Sequence, residues 1–183
     1  MPSTRPNPSP NLAAVTGDPG PRLVPPLAGA RIRGRDAYGE GHFGARRDGG
    51  RRRHQGVDLV AAPGALVMSP ADGRLGSPIE PYPNDSAKRG RLSGVRIHTD
   101  DGYQVRVLYV DGSAAGLAPA ARVGAGETPI GRVQDLSALY PPRAGGTMTN
   151  HIHVDVSKAG RFLDPTAGVA PPPPSAPSPT AAL

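Results

Sequence analysis

Apolar and polar positions alternate in short stretches through the middle of the chain, and glycine, proline or aspartate interrupts each stretch. Residues 57–62 and 65–70 are apolar runs split by Pro63-Gly64. Residues 94–99 and 103–110 flank Asp100-Asp101-Gly102, a pattern that predicts a β-hairpin closed by an Asp-Gly turn. Residues 127–133 and 151–156 supply later strands. No stretch sustains a 3.6-residue apolar period; residues 135–140 come nearest and are too short for a packed helix. The pattern predicts an all-β domain of β-sandwich or barrel-like architecture. Segments 69–76 and 123–133 each set a glycine turn beside a short strand, as in the hybrid-motif domains that include biotinyl and lipoyl carriers. A carrier needs a modifiable lysine at the hairpin tip; neither segment has one, so that function is set aside.

Composition changes the picture at the ends. Eight of the 24 prolines lie in residues 1–30 and six more in 170–183. Such segments bury too little apolar surface to offset the entropy of ordering. The expected organisation is a disordered Pro-rich segment over 1–30, one domain over 31–169, and a disordered Pro-rich tail over 170–183. A net charge of +6 and a pI near 10.3 favour anionic partners, whether nucleic acid, acidic lipid or cell-wall polymer. Aromatic residues make up only 4% of the chain, too few for base-stacking platforms, so nucleic acid ranks low. With no cysteine there is no disulfide frame, thiolate zinc site or cysteine nucleophile. Any metal site must be built from His, Asp and Glu. No segment approaches the roughly 18 apolar residues of a membrane span, and the N-terminal residues show no signal-peptide h-region.

The candidate chemistry lies in two stretches. His54 and Asp58 stand four positions apart where an arginine-rich loop meets an apolar strand. Read as part of a strand, both project to one side, with Val57 and Leu59 on the other. Alone, the pair is also what a surface histidine beside a surface aspartate looks like. The segment Asn150-His-Ile-His-Val-Asp-Val156 is sharper: on a strand His151, His153 and Asp155 share one face, with Ile152, Val154 and Val156 on the opposite face. Three of the five histidines fall in these two stretches. Zinc in hydrolytic sites takes three N/O ligands and keeps a fourth position open. Two His and one Asp would serve, leaving one His as general acid/base or as a hydrogen-bond partner of the transition state. His98, beside the hairpin turn, and His42, in a glycine-rich loop, are expected at the surface. Asp155 either orients a ligand His or is the polar side of its strand. The five arginines between 46 and 53 read as a solvated loop or as a clamp for acidic substrate.

At this point the sequence resembles a known family. His54-Gln-Gly-Val-Asp58 matches the H-x-G-x-D motif of lysostaphin-like zinc metallopeptidases, and His151-Ile-His153 matches their H-x-H motif. Gly41-His-Phe-Gly-Ala-Arg46, Ala61-Ala-Pro-Gly64 and Ser69-Pro-Ala-Asp-Gly73 match segments flanking the first motif. The likeness covers about residues 34–168 and runs toward the leukocyte cell-derived chemotaxin-2 branch. It implies a β-rich fold with a groove over one Zn2+, bound by His54, Asp58 and His153, with His151 catalytic. Active members carry a further His in a Tyr-x-His segment. Here Leu108-Tyr109-Val110-Asp111 puts Asp111 at that position, as the second catalytic residue. Tyr109, two residues earlier, is an alternative donor.

The function this implies is zinc-dependent hydrolysis of peptide bonds in peptidoglycan cross-links or stems. The alternative is a catalytically impaired zinc-bearing module that binds cell-wall or protein ligands. Expected partners are peptidoglycan peptide and an anionic cell-wall polymer, with neither nucleic acid nor membrane, and the chain is expected to be a monomer. Without a signal peptide, action on a periplasmic or extracellular wall requires non-classical delivery; otherwise the protein stays in the cytoplasm.

Overall fold

The computed structural model describes residues 19–170. β1 (Arg46–Arg47) and β2 (Arg52–Arg53) form a two-stranded ribbon. There follow β3 (Val57–Val60), β4 (Leu66–Met68), β5 (Gly73–Leu75), β6 (Gly94–His98), β7 (Gln104–Leu108) and β8 (Val110–Asp111). Then come β9 (Arg122–Val123), β10 (Pro129–Val133), β11 (His151–Lys158), β12 (Arg161–Leu163) and a one-turn helix, α1 (Thr166–Val169). A seven-stranded antiparallel sheet runs β12-β11-β7-β6-β5-β9, with β3 also paired to β11; a three-stranded sheet runs β4-β10-β8. The all-β expectation holds, and every strand foreseen from the alternation forms. No helix among the described residues is long and apolar enough to cross a membrane.

The alternation dictates the core. In β6, Val95 and Ile97 point inward and His98 outward; in β7, Val105 and Val107 point inward. These join Val57, Leu59, Ile152, Val154 and Val156 from the large sheet, and Val67, Val110 and Ile130 from the small one, in a single cluster. Each buried Val, Leu or Ile contributes about 1.5–3 kcal/mol, and β-branched side chains suit a half-buried pleat.

Register does the work for the site. β11 carries β3 along its first half and β12 along its second, while β7 pairs its other edge. His153 therefore stands directly opposite Asp58, and Asp155 directly opposite Arg106.

The N-terminal boundary departs from expectation. Residues 19–30 were expected in the disordered segment, yet the Val24 N–H donates to the Pro70 carbonyl and the Met68 N–H donates to the Pro26 carbonyl, both at 2.9 Å. Leu27 is buried and Leu23 packs on the core. Proline removes a donor but keeps its carbonyl, so a proline-rich strip can still pair with the backbone around β4. Residues 1–18 and 171–183, which hold the rest of both Pro-rich segments, lie outside the described residues.

Candidate metal centre

His54 does not lie on a strand: it reaches the site from the loop before β3, and it is buried rather than solvent-facing. Its Nε2 comes to 3.0 Å from His153 Nδ1 and 3.2 Å from Asp58 Oδ1, and His153 Nδ1 lies 3.0 Å from Asp58 Oδ1. Ligands of a tetrahedral zinc with bonds of about 2.0–2.1 Å are spaced about 3.3 Å apart. The three atoms thus form a triangle close to one face of that tetrahedron. Among the described residues this is the group of His, Asp and Glu side chains placed to hold a metal ion.

Hydrogen bonds behind the triangle decide what it presents. His54 Nδ1 lies 2.9 Å from the His42 carbonyl, which can only accept, so Nδ1 carries the proton and Nε2 offers a lone pair. His153 Nε2 faces the Asp155 carboxylate at 3.2 Å, so it too is the donor, and Nδ1 turns its lone pair inward. Two imidazole lone pairs and a carboxylate oxygen then converge with no proton among them. This is repulsive without a cation and suited to a divalent one. Lacking metal, the centre takes a proton instead. Burial opposes charge on His153, but the carboxylates of Asp155 and Asp58 on either side outweigh it and raise its pKa to about 9. Burial likewise opposes the charge on Asp58, yet the hydrogen bond from the protonated His153 holds its carboxyl well below the usual range.

The carboxylates are anchored in turn. Arg33, itself buried, donates to Asp58 Oδ2 from NH2 at 2.9 Å, which leaves Oδ1 for the centre. Arg106 grips Asp155 through Nε at 2.8 Å and NH2 at 2.7 Å. Two glycines permit this packing. A Cβ on Gly56 would lie 2.8 Å from Cε1 and Nε2 of His153 and collide with the Val154 carbonyl; one on Gly41 would lie 2.8 Å from the Arg33 carbonyl. The central glycine of the first motif is thus the space the His153 ring needs.

His151 stands beside the triangle. Its Nδ1 donates to the Thr149 carbonyl at 2.7 Å, and Nε2 lies 3.8 Å from Asp58 Oδ2. Burial lowers its pKa, leaving a neutral ring with an open lone pair. The Tyr109 ring meets it edge-on with centroids 5.4 Å apart. Tyr109 adopts φ 66°, a left-handed conformation uncommon for a bulky side chain. The Tyr82 hydroxyl bonds both the Tyr109 hydroxyl at 2.7 Å and the Tyr140 hydroxyl at 2.5 Å, and burial raises the pKa of all three.

Asp111 is not brought to the centre. Its Oδ1 accepts from the backbone N–H and the hydroxyl of Ser113, capping a short 3-10 helix over Gly112–Ala115. It borders an apolar cavity of about 260 Å³ that Leu75, Val95, Leu117 and Ile130 also line. The left-handed turn at Tyr109 interrupts the alternation between β7 and β8, so Tyr109 and Asp111 do not share one strand face as their spacing suggested. Asp111→Ala is accordingly expected to cost about 1 kcal/mol in denaturant unfolding, as for a lost helix cap, with metal affinity unchanged.

No family model matches the chain. Over 125 residues, 68% of its length, the chain is 34% identical to myeloid protein 1 of Gallus gallus, of which this covers 34%. Over 124 residues it is 28% identical to leukocyte cell-derived chemotaxin-2 of Bos taurus, covering 72% of that protein. Helicobacter pylori Csd3 superposes with a TM-score of 0.54 at 28% identity, over 82% of this chain and 35% of that one. Lysostaphin itself superposes with a TM-score of 0.50 at 16% identity, over 75% of this chain and 52% of that one, and so shares the fold. By fold and by these likenesses the chain resembles the lysostaphin-like family. It spans only about a third of the length of myeloid protein 1 and of Csd3.

Within this lysostaphin-like domain, reading the sequence did not find Arg33, Arg106, Tyr82, Tyr140 or the carbonyls of His42 and Thr149. Arg33 and Tyr82 lie far from either motif in the chain and carry no local signal. Arg106 had one: it alternates with Val105 and Val107, so it must leave the core face and meet the strand that carries Asp155.

Proposed function

We propose that this domain binds one Zn2+ through His54 Nε2, Asp58 Oδ1 and His153 Nδ1 and hydrolyses peptide bonds in peptidoglycan. The observation that carries the reading is the convergence of His54 Nε2, Asp58 Oδ1 and His153 Nδ1 to within 3.0–3.2 Å of one another beside a neutral His151. A zinc ion there would polarise the scissile carbonyl and lower the pKa of the attacking water. His151 Nε2 takes a proton from that water and delivers it to the departing amine nitrogen. The Thr149 carbonyl fixes the ring so that this nitrogen stays available. Tyr109, whose ring stands edge-on to His151, and Tyr82, bonded to its hydroxyl, are kept protonated by their raised pKa values and would supply a donor to the developing oxyanion. Digestion of purified peptidoglycan by the zinc-loaded chain, with products identified by mass, tests this. Fragments gaining one water at a peptide bond support hydrolysis. An intact wall that still retains the protein supports the second reading, a zinc-bearing binding module, which the diversion of Asp111 to Ser113 favours.

Metal and proton compete for His153, and this gives a pH dependence. Zinc binding at neutral pH should release about one proton, and affinity should rise about tenfold per pH unit up to about 9, where the ring becomes neutral without metal. Calorimetry in buffers of different ionisation enthalpy counts the proton. In the metal-free protein the raised pKa stabilises the fold fully below the ordinary value of 6.5, and that contribution fades as pH climbs through about 9.

A further inference from the structure

Next to the metal centre lies a second polar cavity, about 500 Å³, between the β1–β2 ribbon and the loop of residues 35–44. Arg35, Glu40, His42, Arg46 and Arg53 are among its lining side chains. The ribbon pairs Arg46 directly with Arg53 and Arg47 directly with Arg52. Directly opposite residues on an antiparallel pair have Cβ atoms about 4.5–5.5 Å apart, and like charges there are destabilising. Arg47 turns inward, 3.6 Å from Asp58, and Arg52 pairs with Asp48. Among the described residues Arg46 and Arg53 have no carboxylate partner, Arg53 donating only to the Gly44 carbonyl at 3.3 Å, and both line the cavity. Two acidic residues line the wall, and both are engaged: Asp36 by Arg33 at 2.5 Å, and Glu40 by Arg35 and His42, each at 3.4 Å.

The cavity and the metal centre share a wall. The carbonyl of His42 accepts from His54, and Arg53 immediately precedes His54. We propose that this cavity is a carboxylate subsite, in which Arg46 and Arg53 hold the carboxylate of an acidic peptide whose backbone continues to the metal centre. The proposal rests on the peptidase reading and adds a substrate class to it. Two arginines at directly opposite strand positions offer a carboxylate charge-assisted hydrogen bonds; Arg53 exchanges its 3.3 Å bond to the Gly44 carbonyl for the ligand, and the anion offsets the like charge of the pair. No Phe, Tyr or Trp lines the cavity, so it offers no stacking surface for a base.

The test is a binding measurement on the full chain that needs no turnover, using acetyl-Ala-Glu-Ala-amide and its Gln counterpart. The Glu peptide should bind roughly tenfold more tightly, and added salt should shrink the difference. Arg46→Gln or Arg53→Gln should bring the ratio near one with zinc affinity unchanged. Arg122→Gln, which removes an exposed arginine paired with Asp100, should leave the ratio as in the wild type. Equal binding of the two peptides, binding of neither, or a preference that survives both arginine changes would overturn the subsite. So would inorganic phosphate outcompeting the Glu peptide, since the cavity would then be a phosphate site. Failure of wall digestion alongside a Glu preference would remove the peptidase reading and leave the subsite standing.

Discussion

His153→Ala is expected to weaken zinc binding by more than about a hundredfold, beyond the 10–100-fold loss that follows removal of an outer-sphere partner. The substitution deletes a lone pair that nothing else can supply. Asp58 and Asp155 keep their arginine partners, Arg33 and Arg106, so the flanking strands retain their ion pairs while the space between them opens. His42→Ala is the control: this residue contributes only its backbone carbonyl to His54, so zinc affinity should stay within about threefold of the wild type. Competition with a chromogenic chelator measures both. Equal affinity in the wild type and His153→Ala would place the metal elsewhere.

The second large effect is on turnover. His151→Ala should retain stoichiometric zinc while hydrolysis falls by about 10²–10⁴, the range associated with a lost general acid/base. The separation follows from geometry. His151 Nε2 lies 3.8 Å from Asp58 Oδ2, the oxygen held by Arg33, and stands apart from the triangle of ligand atoms. Its own anchor, the Thr149 carbonyl, is backbone and survives the change. Zinc content and turnover measured on the same sample give the answer. A rate within a few-fold of the wild type would transfer the proton chemistry to another group, with the Tyr109–Tyr82–Tyr140 hydroxyl chain next in line.

The strands and the site were legible to different degrees for physical reasons. β6 and β7 could be read because each alternates strictly about an Asp-Gly turn, and period two leaves one way to bury Val95, Ile97, Val105 and Val107. The approach of His54, Asp58 and His153 followed from two motifs nearly a hundred residues apart, and the β3–β11 register brings them together. Asp111 was misleading because alternation was carried through Tyr109, whose left-handed backbone resets which way the next side chains point. A sequence marks such a residue when it is glycine and conceals it when it is tyrosine. The packing of residues 19–30 was hidden because proline density was taken as disorder, whereas the pairing there uses proline's carbonyl and its neighbours' N–H groups.

The most direct test of the metal centre is zinc K-edge absorption spectroscopy on the full chain loaded with one equivalent. The structure predicts a four-coordinate spectrum with two imidazole nitrogens and oxygen neighbours at about 2.0–2.2 Å, losing one imidazole in His153→Ala. A chain that holds no zinc tightly, or a first shell without imidazole, would contradict it.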